Sequence, residues 1–375
     1  MTPEEIELLS ELTIIIPTYN RPLELERAIE YWRDTPVTVH ILDGSEKPWF
    51  PLGPLENAQT INYHHIPAGE HQTPMESFFE RVIFGSKLSV TKFSAFGCDD
   101  DFYTISGLNY SLKLLKSQPN FDAVVGRVLT YQTNNSGQVL WWCKYLNWKD
   151  HDSAKSSDFS ERVFGKKNWF LYGVCRTELW KGFLNASYSE SSYSKDQAYA
   201  HEWLMKQLSA SLFKTKFLER ITIVRQNTQY GWNEPDKVQW SEWLDSPKFK
   251  PQVSELVKQL SDGLALVCDD AVQCDLIANE LLSKEKDQLH KTSENTPPPT
   301  LFRRQNLLKL YPKIPKQFKS LLSLTVIPVG QAVGLKSYKL ISIMYLLIRW
   351  GVAFDRRELK YIQSLILKTK KKSRF

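Results

Sequence analysis

LTIIIPTYNRPLELERAIEYWRDTPVTVHILD, residues 12–43, holds three different patterns in succession. Residues 12–19 are a short apolar, β-branched run that closes on Pro17 and polar residues, which reads as a buried strand. RPLELERAIEYWRD then sets Leu25, Ala28, Ile29 and Trp32 on one helical face. Pro22 suits the first turn of that helix, and Glu24 and Glu26 suit its N-terminal half, where carboxylates meet the positive end of the helix dipole. VTVHILD, residues 37–43, is a second strand, ended by Gly44 and Ser45. Strand, helix and strand at this spacing predict a βαβ unit with parallel strands.

The alternation continues outward. A helix is expected over 75–88, then a strand in SVTKFSAFGC, a helix in GLNYSLKLLKSQ and a strand in FDAVVGRVLTYQ. Residues 132–168, rich in Asn, Ser, Lys, Trp and Tyr, read as an irregular excursion. Order resumes over 168–180, followed by a helix at 197–211 and a strand in FLERITIVRQ. Residues 236–290 read as helical, and SENTPPPT (293–300) reads as a linker. The expected fold class is α/β, with a mixed, mostly parallel, Rossmann-like sheet, helices on both faces and an α-helical C-terminal extension. Three spans are expected: 1–235, the α/β domain; 236–295, helices and linker; and 296–375, a basic amphipathic region.

The chain has 375 residues, 42% hydrophobic and 24% charged, enough for an ordinary core without disulfide or metal staples. Its five cysteines are scattered and form no C-x-x-C pair, which argues against a structural zinc site and for a reducing cytosol. The start, MTPEEIELLSE, has no apolar stretch of the kind a secretory signal needs. No apolar run reaches a membrane span, the nearest (320–335) being broken by Pro328 and two glycines. The net charge of +6 is uneven: residues 301–375 hold 17 Lys and Arg against two acids, a net of +15, which leaves −9 on the first 300. One end of the protein is therefore suited to a polyanion or an anionic membrane, and the rest is not.

In an open parallel sheet, ligands bind beyond the carboxyl ends of the strands. Three polar clusters lie at such ends: Thr18-Tyr19-Asn20-Arg21, Asp43-Gly44-Ser45 and Asp99-Asp100-Asp101. If their strands are parallel, all three open onto one rim. Adjacent carboxylates suit a hard divalent cation, Mn²⁺ or Mg²⁺, whose shell substrate phosphate oxygens complete. On that reading Asp99 and Asp101 reach the metal and Asp100 meets a ribose hydroxyl, while the bland alternative is an acidic cap on the next helix.

TIIIPTYNRP, then ILDGS about twenty residues on, then CDDDF together resemble the nucleotide-sugar-binding half of GT-A glycosyltransferases of family 2, with D-D-D-F similar to a bacterial subgroup. The resemblance spans about residues 12–230. It implies donor-nucleotide contacts from Thr18, Tyr19, Arg21 and Asp43, and metal and donor contacts from the aspartates. Aligned on the following helix, the first acid falls on Cys98, which favours Asp100 and Asp101 over Asp99. The resemblance also implies an acidic base at the start of a later helix, matched by SKDQAYAHEW (194–203). There His201-Glu202 stands where the family has an acidic pair, so Glu202 is the expected base and Asp196 its rival.

Arg225, after ITIV, has a planar fork suited to diphosphate oxygens, or to a surface ion pair. Trp141, Trp142, Tyr145 and Trp148 could face an acceptor sugar or build a small core under a long loop. His64, His65 and His71 match no ligand spacing and read as loop histidines. In RRELKYIQSLILKTKKKSRF, Leu359, Ile362, Leu365 and Ile366 share one face, with Lys360, Lys368 and Lys370–Lys372 around it. Such a helix reads as an interfacial anchor, or as a cap on the preceding domain. No nucleic-acid motif accompanies the charge.

The resemblance therefore implies a metal-dependent, inverting glycosyltransferase that takes a nucleotide-sugar donor and a glycan or lipid-linked acceptor. It is expected in the cytoplasm, peripheral to the inner face of a membrane. Phospho-sugar or nucleotidyl transfer, and a non-catalytic membrane-bound assembly partner, are the alternatives.

Overall fold

The computed structural model describes residues 1–49, 55, 58–69, 74–133, 139–143, 159–164, 172–188, 198–226, 238–294, 343–344, 347–348 and 351–372. Its centre is a nine-stranded mixed sheet flanked by helices. The strands are β1 (Leu12–Thr18), β2 (Thr38–Asp43), β3 (Ile61–His65), β4 (Phe93–Phe96), β5 (Phe102–Tyr103), β6 (Ala123–Thr133), β7 (Val139–Cys143), β8 (Val174–Arg176) and β9 (Thr215–Gln226). They lie in the order β3-β2-β1-β4-β8-β6-β9-β5, with β7 on β6. Strands β1–β4, β6 and β9 run one way, and β5, β7 and β8 run the other. The α/β class expected from the sequence is the one observed.

The opening βαβ unit is present as predicted. β1 is buried along its whole length, as a central strand covered on both faces must be. Helix α2 (Pro22–Trp32) begins on Pro22 and buries Leu25, Ala28, Ile29 and Trp32. Register then fixes the rim. Thr18 pairs with Asp43 across β1 and β2, Ile15 pairs with Phe96 across β1 and β4, and Gly97 N donates to Ile15 O at 2.8 Å. Three parallel strands thus end together, each beside one of the polar clusters.

Two local expectations are corrected. The excursion over 132–168 contains a strand, β7, paired antiparallel with residues 129–133 of β6. Trp141 lies fully buried against Tyr131, as core; Tyr145 and Trp148 lie outside the described residues. His64 and His65 belong to β3 rather than to a loop, because a short half-buried strand tolerates polar residues at its edge; His71 lies outside the described residues.

The remaining helices cover the sheet and extend it: α1 (Pro3–Ser10), α3 (Pro74–Leu88), α4 (Ile105–Ser117), α5 (Phe159–Phe164), α6 (Thr177–Ser187), α7 (Ala198–Leu212), α8 (Trp240–Asp245), α9 (Lys250–Leu264), α10 (Ala271–Glu294) and α11 (Arg356–Lys372). Side chains from all three expected spans join one hydrophobic core, Leu256 and Leu260 of α9 and Leu359 and Ile362 of α11 among them. The apolar stripe of α11 (Leu359, Ile362, Leu365, Ile366) is buried against the protein, and α11 packs on α2. Its face is thus spent on the domain, as in the cap reading, because the α2 surface offers the same apolar burial that a bilayer interface would. Among the described residues no helix is long and apolar enough to cross a membrane.

Helix α4 follows the aspartates and is pinned to β9. Thr104 caps it, accepting from Gly107 N at 3.2 Å and donating to Ile221 O at 2.7 Å. A Cβ on Gly107 would lie 2.8 Å from Thr222 Cα and 2.9 Å from Ile221 O, both backbone atoms that cannot give way. Gly107→Ala should therefore destabilise the fold by about 1–3 kcal/mol, the usual cost of overpacking. A denaturant midpoint unchanged from the native protein would refute that close approach.

Candidate functional site

Asn20 adopts a positive φ of 53° in the turn between β1 and α2, a conformation that asparagine tolerates better than most residues. Its N–H donates to Ser45 Oγ at 2.8 Å, which ties the first cluster to the second. The turn aims Arg21 at the aspartates. Arg21 Nη1 donates to Asp99 Oδ1 at 2.7 Å, and Nη2 donates to Asp100 Oδ2 at 2.8 Å. Thr18 Oγ1 donates to the other Asp99 oxygen at 2.7 Å. The first cation these aspartates meet is thus a guanidinium of the same chain, and both Asp99 oxygens are already engaged.

Asp101 is held from the other side. Gln226 N donates to its Oδ1 at 3.1 Å, and Arg225 Nε lies 4.0 Å from Oδ2. That Oδ2 is buried and has no hydrogen-bond partner among the described residues. All three aspartates are less than a tenth exposed. Burial pushes the Asp99 carboxyl up to about 7, with Arg21 pulling it down and Asp100 adding to the rise. Burial and the Asp100 charge push Asp101 well above the carboxylate range. The Cys98 thiol is likewise pushed up by burial and by the carboxylates beside it.

Whether these residues fit a divalent cation can be judged from the donor set. Ligand atoms of Cys98, Asp100 and Asp101 lie within 4.8 Å of one another. Two carboxylates suit Mn²⁺ or Mg²⁺, and the unpartnered Asp101 Oδ2 is the kind of buried atom a cation would satisfy. A protonated thiol adds nothing to a hard ion's shell. The residues fit, with Asp100 and Asp101 as the pair. Asp99, expected from the sequence as a ligand, accepts from Thr18 and Arg21 on its two oxygens, and Asp100 accepts from Arg21 on one.

The other predicted residues fall into place unevenly. Asp43 is 1% exposed and its oxygens accept from Ser45 N (2.9 Å), Ser45 Oγ (2.5 Å) and Tyr63 Oη (2.6 Å). It secures the turn after β2. Tyr19 is half exposed on the rim. Arg225 packs over the Tyr172 ring at 5.2 Å and joins the cluster through Asp101. Glu202 stands on the exposed side of α7, and Asp196 lies outside the described residues.

Sequence reasoning missed several residues. Arg27 Nη2 reaches Asp100 O at 3.4 Å and Gln226 Oε1 at 3.0 Å, and Tyr131 Oη donates to the same Gln226 oxygen at 2.9 Å. Arg81 is buried beside Asp43 and Tyr19, where a Cβ on Gly44 would run into its guanidinium. Gln226 could have been found by extending the strand-end rule one residue past Arg225. Nothing local marks Arg27 or Arg81.

No protein-family model and no curated protein matches the chain. Solved structures similar to it include S. aureus TarS 1-349 in complex with UDP, at 13% identity over 76% of this chain and 75% of that one, TM-score 0.47. The complex of S. aureus TarS 1-349 with UDP-GlcNAc is 13% identical over 96% and 88% of the two chains, TM-score 0.46.

His201, beside Glu202 on α7, is 2% exposed, with its ring centroid 4.6 Å from that of Phe79. Burial lowers its pKa to about 4, against a smaller opposing effect of Glu76. The unfolded chain takes up this proton near pH 6.5 and the folded protein only near 4, so stability is lost as pH falls through that window. The loss should approach ~3 kcal/mol and disappear in His201→Phe. Equal pH slopes for the two proteins, in denaturant titrations between those limits, would contradict a neutral buried imidazole.

Proposed function

We propose that the chain is a glycosyltransferase that moves a sugar from a nucleotide-sugar donor to a hydroxyl of a glycan or lipid-linked acceptor. The observation that carries this reading is the meeting of three parallel strand ends, Thr18, Asp43 and the aspartates, on one rim beside a buried carboxylate oxygen with no hydrogen-bond partner among the described residues. Asp100 and Asp101 would hold Mn²⁺ or Mg²⁺, which supplies positive charge to a leaving diphosphate. Arg225 lies close enough to Asp101 to share that task, and Arg21 could pass from the aspartates to the donor phosphates. Tyr19, exposed on the rim, is available to stack on the base. Glu202 is the proposed base for the acceptor hydroxyl, with inversion at the sugar as the outcome, and Asp196 its rival.

Calorimetric titration with UDP, GDP, CDP and their sugars, in Mn²⁺ and again in EDTA, tests the donor site. One nucleotide should bind only with metal, and Asp101→Asn should weaken it by about a hundredfold or more, as loss of a charged ligand does. No binding under any condition would sink the reading. Donor binding without product, unchanged in Glu202→Gln, would favour a non-catalytic partner instead. The Arg21 clamp, which already neutralises two of the acids, is the observation that supports that second reading.

Association with an anionic membrane, at its inner face, is the accompanying proposal. Its support is charge rather than the apolar stripe: Arg356, Arg357, Lys360 and Lys368 are exposed on α11. Sedimentation with vesicles should show binding to phosphatidylglycerol, none to phosphatidylcholine, and a steep loss with salt. Equal binding to both lipids would refute a charge-driven contact.

A further inference from the structure

The chain beyond residue 350 returns to the α/β domain and touches three elements that carry the aspartate cluster. Ala353 bridges Arg220 of β9, with Ile221 N donating to Ala353 O and Ala353 N donating to Glu219 O, both at 2.9 Å. β9 ends in Arg225 and Gln226, which face Asp101. Helix α11 packs on α2, where Tyr361 stacks on Tyr31 at 6.2 Å and Lys368 Nζ meets Glu30 Oε1 at 2.6 Å. α2 starts directly after Arg21 and carries Arg27, whose guanidinium reaches the Asp100 carbonyl.

The third attachment is made by Glu358. Its carboxylate accepts from Ile105 N, from Ser106 N at 3.3 Å and from Ser106 Oγ at 3.0 Å, and lies 3.0 Å from Tyr31 Oη. The Tyr31 hydroxyl also reaches the carbonyl of Tyr103, the last residue of β5. These are the open N–H groups of α4's first turn, where a negative charge is favoured. α4 already has a local cap in Thr104, yet it takes a second acceptor from more than 250 residues further on. Only three residues, Phe102 to Thr104, separate Asp101 from Ile105. Whatever fixes Tyr103 and Ile105 also limits where the aspartate turn can go.

We propose that Glu358 is a positioning residue: through it the C-terminal helix holds the β5–α4 junction, and with it Asp99–Asp101, in the geometry a cation and a diphosphate require. The proposal rests on the donor-site reading above for its purpose, though not for the coupling itself. The site is then incomplete without the C-terminal segment, although that segment is distant in sequence.

Hydrogen exchange on the whole chain, read by mass spectrometry at peptide resolution, tests the coupling. In Glu358→Ala, exchange over residues 97–104 should rise about tenfold, the scale of a lost charge-assisted hydrogen bond, while β1 stays as in the native protein. Glu358→Gln, which keeps an acceptor, should recover part of the protection and carries the test if the alanine variant does not fold. Ser364→Ala, on the exposed side of the same helix, should behave as the native protein. Acceleration confined to 105–108, or spread evenly into β1, would overturn the proposal. Mn²⁺ calorimetry on the same proteins separates it from the reading beneath it. About tenfold weaker Mn²⁺ binding in Glu358→Ala supports positioning. Equal binding by both proteins overturns positioning and leaves the metal site standing. No Mn²⁺ binding by the native protein, with exchange over 97–104 still responsive, overturns the metal reading and leaves the coupling standing.

Discussion

Three adjacent aspartates, each less than a tenth exposed, are the constraint around which this structure is organised. Removing a carboxylate from water costs several kcal/mol unless charge or hydrogen bonds replace the lost hydration, and neighbours of like sign raise that cost. The protein meets it piecewise. The Arg21 fork spans Asp99 and Asp100, Thr18 donates to Asp99, and the Gln226 backbone amide donates to Asp101. Each partner is where it is for a backbone reason: Thr18 by the end of β1, Arg21 by the left-handed Asn20, Gln226 by the end of β9. One oxygen, Asp101 Oδ2, is left without a hydrogen-bond partner among the described residues, and burial, with the neighbouring Asp100 charge, raises the carboxyl pKa values of Asp99 and Asp101.

The compensation comes from distant parts of the chain. β1 and α2 supply Thr18, Arg21 and Arg27; β6 and β9 supply Tyr131, Arg225 and Gln226; and α11 holds the start of α4 through Glu358. A cluster built this way has little freedom to move by itself, because Asp99 and Asp100 are tied to the turn after β1 and Asp101 to the end of β9, all parts of a close-packed core. The second acidic position, Asp43, shows the opposite economy. Its oxygens accept from its own turn and from Tyr63, which fixes the rim beside the aspartates. Beside it, Arg81 occupies the room that Gly44 leaves by having no side chain.

The strand-helix-strand unit of residues 12–43 was legible because β-branched burial and helical spacing are local properties, read without knowing what covers them. The shared rim followed from parallel pairing, and the register bears it out. Other features were not legible. β7 lies in a stretch whose polar composition hides its pairing with β6. Helix α11 displayed its apolar stripe plainly, yet a stripe states only that something covers it, and here that is the protein itself. The contacts that Thr18 and Arg21 make with Asp99 were not legible either, since they join residues about eighty positions apart.

By itself the sequence determined the opening βαβ unit, the ends of its strands and the clustering of acids, since periodicity, turn residues and charge are written along the chain. Tertiary structure alone decided which acids are held by Thr18, Arg21 and Gln226, and that a glutamate from the basic C-terminal helix meets the start of α4. Partnership of buried charges is a matter of distances of a few ångströms between segments that the chain order does not relate.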